Sequence, residues 1–338
     1  HETLTYTVVD GILIEVLQHP TVPSAPINNV GAKSAMKSAI MVAAVATALC
    51  LGILSFMRNA VRSSNEAQTK LDCEYLGQLP HENKKKSLAS FFSRKKTNIL
   101  IDNPITGFQY VENIRKLRHR IEQHMGSRKV LMVTSLLENE GKSTVAVNLA
   151  LSLAQKHSRV LLIDCDLRKP ACHKILEHKQ FASGIRELLR DKANLADCIV
   201  HHPNTRLYLM LAKKGDPNPG ELLTSERMHN LLAWSRKNFD YVILDLPPMA
   251  ASADSEAMTA LADAALMVVR QNEAVAPALN KAAASLEGRN AKLLGCVLNN
   301  VHSTRLSNGG GYGYGYGYGY GYGRYRKSNY YKNYGSGK

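Results

Sequence analysis

Between positions 128 and 300 the chain alternates short runs of Val, Ile and Leu with longer stretches whose apolar residues recur at helical spacing. The runs predict strands at 129–134, 159–164, 206–211, 240–246, 264–269 and 292–298. The stretches between them predict helices near 142–156, 221–238, 253–262 and 276–288. Apolar strands separated by amphipathic helices make an α/β fold, a mostly parallel sheet covered on both faces. Such sheets bind ligands beyond the carboxyl ends of their strands, so polar residues that close an apolar run are the candidates for chemistry.

The rest of the chain is patterned differently. TYTVVDGILIEVL alternates well enough for a strand or two, and Pro20, Pro23 and Pro26 follow as an extended connector. Residues 38–57 carry no charge, which is the length and composition of a helix across a hydrocarbon core. Lys33 and Lys37 precede that stretch, and Arg58, Arg62 and Lys70 follow it. The runs Lys84-Lys85-Lys86 and Arg94-Lys95-Lys96 tip the balance toward a cytoplasmic C-terminal side. Residues 63–108 read as a polar linker punctuated by Pro80 and Pro104, ahead of a basic amphipathic helix, YVENIRKLRHRIEQHM. From Asn308 onward glycine alternates with tyrosine, a low-complexity tail that predicts no packed structure.

A chain of 338 residues holds one or two domains, and its formal charge of +15 calls for an anionic partner such as lipid, phosphate or nucleic acid. The six cysteines are scattered without a C-x-x-C pair, which argues against a disulfide scaffold or structural zinc. Opening at His1 rather than Met, the sequence reads as a fragment or a processed form.

The chemistry concentrates in VLMVTSLLENEGKST, positions 130–144. A strand breaks at Thr134-Ser135 into a polar loop, and Gly141-Lys142-Ser143-Thr144 opens a helix, which is the layout of a P-loop. The free N–H groups and positive dipole end of that helix favour a phosphate chain. In this reading Glu140, Gly141, Lys142, Ser143 and Thr144 bind the nucleotide; Lys142 reaches the β- and γ-phosphates and Ser143 holds Mg²⁺. The first glycine of G-x-x-x-x-G-K-[ST] falls at Leu136, and Asn139 is the residue placed to supply the positive φ a glycine usually supplies. Downstream, VLLIDCDLRKP ends in Asp164 and Asp166, two apart and so on one side of an extended chain, and YVILDLPP ends in Asp245, as a Walker B strand does.

LLIDCDLR resembles the D-x-D-x-R motif of the bacterial tyrosine kinases (BY-kinases), P-loop enzymes unrelated to eukaryotic-type kinases. ENIRKLR, with Glu112, Arg115 and Arg118, is similar to their E-x-x-R-x-x-R oligomerisation helix, and GDPNPGELL, YVILDLPP and GCVLNN resemble further segments. The connector and apolar stretch resemble the end of a Wzz-like polysaccharide chain-length regulator. The resemblance implies a MinD/ParA-related P-loop NTPase-like fold with a kinase domain at 109–307. Before it come the end of an extracytoplasmic module (1–37), a single span of a bacterial plasma membrane (38–57) and a cytoplasmic juxtamembrane linker (58–108). Catalysis would fall to Lys142, Asp164, Asp166 and Asp245, with Asp164 positioning or deprotonating the tyrosine hydroxyl. Mg²⁺ would be held by Ser143, Asp166 and Asp245, and oligomer contacts by Glu112, Arg115, Arg118 and Arg168.

The tail, 308–338, resembles the family's autophosphorylation region. Tyr312, Tyr314, Tyr316, Tyr318, Tyr320, Tyr322, Tyr325, Tyr330, Tyr331 and Tyr334 are its candidate sites. Implied with it are ATP and Mg²⁺, a ring-like homo-oligomer phosphorylating in trans, the polysaccharide polymerisation and export machinery, a cognate tyrosine phosphatase and the membrane, but no nucleic acid. One departure stands out. Where the family loop commonly carries Pro-Gly, this chain has Glu138-Asn139, which adds a carboxylate near the polyphosphate. The rival readings are a MinD/ParA-like positioning ATPase, whose second P-loop lysine SLLENE lacks, and a non-enzymatic scaffold.

Overall fold

The computed structural model describes residues 6–9, 12–15, 31–57, 59–82, 98–178, 181–287 and 290–302. In chain order the strands are β1 (Tyr6–Val9), β2 (Ile12–Glu15), β3 (Tyr75–Pro80), β4 (Val130–Ser135), β5 (Val160–Asp164), β6 (Val200–His201), β7 (Leu207–Met210), β8 (Tyr241–Asp245), β9 (Ala264–Arg270) and β10 (Lys292–Val301). The helices are α1 (Ala32–Met57), α2 (Ser64–Lys70), α3 (Phe108–Met125), α4 (Lys142–Ala154), α5 (Cys172–Ile175), α6 (Ile185–Leu189), α7 (Leu195–Cys198), α8 (Pro219–Leu223), α9 (Glu226–Asn238), α10 (Asp254–Met258) and α11 (Ala276–Glu287).

Eight strands form one sheet in the order β3-β10-β9-β4-β8-β5-β7-β6, parallel throughout except for the short β6, which runs antiparallel to β7. Side chains alternate across a strand, so each apolar run serves two cores. Val130, Met132, Leu161, Ile163, Val242 and Leu244 face one, where α9 and α11 supply Leu231, Leu232, Leu279 and Leu286. Leu131, Val133, Val160, Leu162 and Ile243 face the other, under α3 and α4. Helix α3 docks through Tyr110, Ile114, Leu117, Ile121 and Met125, a three-and-four spacing that leaves its charges outside.

Two expectations change. Residues 63–108 do not run as a plain linker: α2 packs Ala67 into the core, and β3 adds an edge strand beside β10. Upstream of these, Ala60 bridges Val275 and the Asn272 amide donates to the Val61 carbonyl, so this stretch belongs with the sheet. The approach of β3 also explains Gly295, whose φ is +142° and where a Cβ would lie 2.2 Å from the Glu74 carbonyl oxygen. The helix expected over 221–238 is two, α8 and α9, parted where the Ser225 hydroxyl caps the Met228 amide.

Helix α1 contains an apolar window, Lys33–Gly52, with mean hydropathy 1.8 and none of it buried, long enough to cross a membrane. It begins earlier than the expected 38–57 and takes in Lys33 and Lys37. The paired strands β1 and β2 match the alternation near the N-terminus. The proline connector, the two basic triplets and the tyrosine tail lie outside the described residues.

Candidate nucleotide site

Three adjacent strands, β4, β8 and β5, bring their carboxyl ends together; β8 ends in Asp245 and β5 in Asp164, both of the expected set, and β4 leads into the Gly141-Lys142 loop. Asp164 pairs directly with Asp245 in the β5–β8 register. The loop after β4 is held open by two residues with positive φ, Asn139 at 62° and Gly141 at 92°, so Asn139 does take the turn conformation expected of it. A Cβ at Gly141 would be strained by its positive φ and would displace the Asn299 side-chain amide. That Asn299 amide donates to the Glu140 carbonyl at 2.8 Å.

Glu140 was expected to face the nucleotide, but its side chain braces the loop instead. The carboxylate is 1% exposed and accepts the Leu137 amide at 2.7 Å and the Arg270 amide at 3.3 Å. Burial outweighs those bonds and pushes its pKa up to about 7. Only its main chain is left for phosphate.

Lys142 lies folded over the acids. Its ammonium donates to Asp166 Oδ2 at 2.7 Å and to Ser143 Oγ at 3.2 Å, and stands 3.5 Å from Asp245 Oδ1. Burial pulls the Lys142 pKa down, but Asp245 and Asp166 outweigh it and hold the ammonium charged. Asp166 also accepts the Lys169 amide at 3.0 Å through Oδ1. Asp164 and Asp245 are fully buried. Desolvation, then the neighbouring Asp245 charge, pushes the Asp164 pKa well above the usual carboxylate range; desolvation raises that of Asp245. Asp164 does not reach the cleft, whereas Asp166 lines it, so burial argues against Asp164 as the group that meets a phenol.

Above these acids opens a cleft of about 570 Å³, within the range of small-ligand sites. Gly141, Lys142, Ser143 and Thr144 line it from the loop, with Asp166 and Arg168 opposite. Glu138, the unusual carboxylate, is exposed at its mouth and takes both oxygens to Lys169 Nζ, at 2.7 and 2.8 Å. The added negative charge is thus already paired.

The residues fit a phosphate chain with a divalent cation. Three carboxylates converge against one ammonium; Asp164 Oδ1 is buried without a hydrogen-bond donor, and Asp245 Oδ1 has only the Lys142 ammonium, 3.5 Å away. Such atoms are costly to bury bare, and a hard cation is what an all-oxygen pair lacks.

Of the oligomer set, Glu112 and Arg115 pair with each other on α3, and Arg118 donates to the Ser152 carbonyl at 3.0 Å. Arg168 pairs with Asp254 at 3.0 Å. All three contacts lie within the chain, and Arg115 and Arg168 stay exposed. The sequence reading missed Cys172, whose thiol donates to Asp245 Oδ2 at 3.4 Å, because a cysteine opening a short helix carries no pattern. It also missed the loop braces Arg270 and Asn299, which lie far along the chain from the loop they hold.

Sheet, loop and acids define a P-loop NTPase-like protein. Residues 130–282 match the AAA domain family model (AAA_31). The chain is 35% identical over 205 residues to the tyrosine-protein kinase YwqD of Bacillus subtilis, covering 60% of this chain and 85% of that protein. It is 33% identical over 193 residues to the tyrosine-protein kinase wzc of Salmonella typhimurium, covering 56% of this chain but only 27% of that much longer protein. The solved kinase domain of the Escherichia coli tyrosine kinase ETK superposes with a TM-score of 0.62 at 29% identity, covering 74% of this chain and 99% of that one. The chain belongs to the bacterial tyrosine-protein kinase family.

Proposed function

We propose that the chain is an ATP-dependent protein-tyrosine autokinase that phosphorylates its own C-terminal tyrosines, in trans within a ring-like homo-oligomer, and so regulates capsular or exopolysaccharide polymerisation and export. The observation that carries this reading is the pairing of Lys142 with Asp166 in the D-x-D-x-R turn and with Asp245 buried behind the cleft, in a chain whose sequence also holds a glycine-tyrosine tail. The tyrosine oxygen attacks the γ-phosphorus in line, the bond to the β-phosphate bridging oxygen breaks, and ADP leaves. Lys142 exchanges Asp166 for phosphate oxygens, and backbone N–H groups of the Gly141 turn hold the chain in place. Mg²⁺, held through Ser143, Asp166 and Asp245, would offset the charge on the transferring group. Asp166, freed from Lys142 and facing the cleft, would orient the phenol and take its proton, while buried Asp164 would hold the turn into α5 by accepting the Cys172 amide at 3.1 Å.

Helix α1 would anchor the chain in a bacterial plasma membrane with the kinase domain cytoplasmic, and Glu112, Arg115, Arg118 and Arg168 would exchange their internal contacts for a neighbouring subunit's. The export machinery and a cognate tyrosine phosphatase would be its partners. Each tail phosphate would add about two negative charges to a basic segment, and repulsion would loosen the ring. The test is mass spectrometry of the full chain after incubation with ATP and Mg²⁺, beside Lys142→Met. Several phosphates between Tyr312 and Tyr334, lost in Lys142→Met, are expected. ATP consumed without tail phosphate would replace this reading with a positioning ATPase, and neither signal would leave a scaffold.

A further inference from the structure

Beside Ala171, which lines the cleft, is a residue for which phosphoryl transfer has no use. Cys172 is fully buried, and its Sγ lies 3.4 Å from Asp245 Oδ2. Its amide holds Asp164 Oδ2 at 3.1 Å, so the turn that positions the thiol is fixed by the carboxylate beside it. One donor atom from each of Asp164, Cys172 and Asp245 lies within 4.8 Å of the other two. Asp164 also keeps a buried Oδ1 with no donor, and Asp245 Oδ1 meets only the Lys142 ammonium at 3.5 Å.

A thiolate changes which ion such a group prefers. Two carboxylates alone suit Mg²⁺ or Ca²⁺, whereas one sulfur among oxygens suits zinc and its chemical relatives. Zinc binds sulfur at about 2.3 Å and carboxylate oxygen at about 2.1 Å, so on a tetrahedral ion those two ligands stand about 3.6 Å apart. The Cys172–Asp245 separation is already close to that. Among the described residues this is the only His, Cys, Asp and Glu group compact enough to share an ion.

We propose that Asp164, Cys172 and Asp245 form a three-ligand site for a thiophilic divalent cation of the zinc class, distinct in its ligands from the oxygen site of Mg²⁺ but sharing Asp245 with it. Three protein ligands leave a fourth position open, as in zinc sites that exchange a bound group. On binding, the Cys172 thiol gives its proton to solvent and the ion takes over the charge balance that Lys142 supplies. Because Asp245 serves both ions, occupation by zinc excludes the Mg²⁺ arrangement. The site is defined without nucleotide, so its test stands apart from the kinase reading.

The experiment is titration of the full chain in detergent with Co²⁺, without nucleotide, followed by displacement with Zn²⁺ against a chromophoric chelator. A near-ultraviolet thiolate-to-cobalt charge-transfer band is expected. Cys172→Ser and Cys172→Ala should abolish it and weaken Zn²⁺ binding by roughly tenfold or more, a loss on the scale of a removed metal-site group. Asp164→Asn should keep the band and weaken binding. Circular dichroism checks that each variant is folded. No thiolate band in the wild-type chain, or a band that survives in both folded Cys172 variants, overturns the assignment.

Discussion

Two buried carboxylates on the same edge of the sheet, Asp216 and Asp164, are treated in opposite ways. Asp216 has a fully buried side chain, and both its oxygens are satisfied: Arg186 donates at 3.0 Å, Arg190 at 2.6 and 2.8 Å, and the Asn218 amide at 2.9 Å. The Arg190 guanidinium, helped by the Asn218 amide and Arg186, holds its pKa well below the usual carboxylate range. Asp164 is just as buried, keeps one oxygen bare, and is pushed the other way. A carboxylate surrounded by donors is finished and serves architecture; one left short of donors is waiting for a cation or a proton. Asp216 also anchors its loop to the D-x-D-x-R turn, since its amide donates to the Leu167 carbonyl at 2.7 Å.

The largest expected effect follows from breaking the finished site. Asp216→Ala strips Arg190 of its carboxylate and leaves Arg186 only Glu187, and should cost about 2–4 kcal/mol, somewhat below a fully buried pair because both arginines keep contact with water. Urea unfolding would read it. The sign with pH also follows. A depressed carboxylate gives stability that is present above its unfolded value of 3.8 and lost as pH falls toward the folded one. The wild-type advantage over Asp216→Ala should therefore shrink in acid. A constant difference down to pH 2 would show that the arginines do not depend on this charge.

Glu140 sharpens the contrast from the other side. Its folded pKa, about 7, lies above the ordinary 4.5, so its contribution is fully present below about pH 4.5 and is lost as pH rises through 7. Glu140→Gln removes that dependence. The stability of wild type relative to Glu140→Gln should fall by up to about 3 kcal/mol between pH 4.5 and pH 8, read as melting temperature against pH. Parallel curves would mean that the two backbone amides, not burial, decide the charge of Glu140.

Asp164→Asn tests whether the bare oxygen is a burden. The amide keeps an acceptor for the Cys172 amide and gives its NH₂ group to the space beside Asp245. It should raise stability at pH 7 by about 1–2 kcal/mol while abolishing tail phosphorylation, the trade expected of a site strained for function. A variant that is less stable than wild type would place Asp164 with Asp216 among the architectural acids.

How much of this was legible depended on whether a residue's work lies near it in the chain. The apolar runs of β4, β5 and β8 announced themselves because their central residues are buried on both faces and tolerate little polarity. Gly141, Lys142 and the acids that close each run followed from that register. Strand β3, YLGQLP, did not: it buries only Leu76 and Leu79, contains Gly77 at a φ of 136° and ends in proline, as an edge strand can. Polar sequence there looked like a linker. The role of Glu140 was hidden because, besides the nearby Leu137 amide, its partners Arg270 and Asn299 are 130 and 159 residues away. Cys172 was hidden because one cysteine is uninformative until β5 and β8 bring two carboxylates to it.

The smallest effect concerns the Glu138–Lys169 pair at the mouth of the cleft. Glu138 is 48% and Lys169 72% exposed in their side chains, so the pair should add no more than about 1 kcal/mol to folding. Its weight falls on the ligand instead. With Glu138 present, Lys169 spends its charge on a neighbour and little reaches a phosphate chain. Glu138→Gln frees that charge and should tighten nucleotide binding a few-fold at low salt, with the gain fading as ionic strength rises because the pair is exposed. Lys169→Ala does the reverse, leaving a bare carboxylate beside the phosphates, and should weaken binding more than Glu138→Gln strengthens it. In Glu138→Gln/Lys169→Ala neither charge remains, so affinity should return close to wild type. Titration calorimetry of the four proteins closes this cycle. If the two single variants were simply additive, with no coupling between them, Glu138 would act on nucleotide directly and Lys169 would not be its shield.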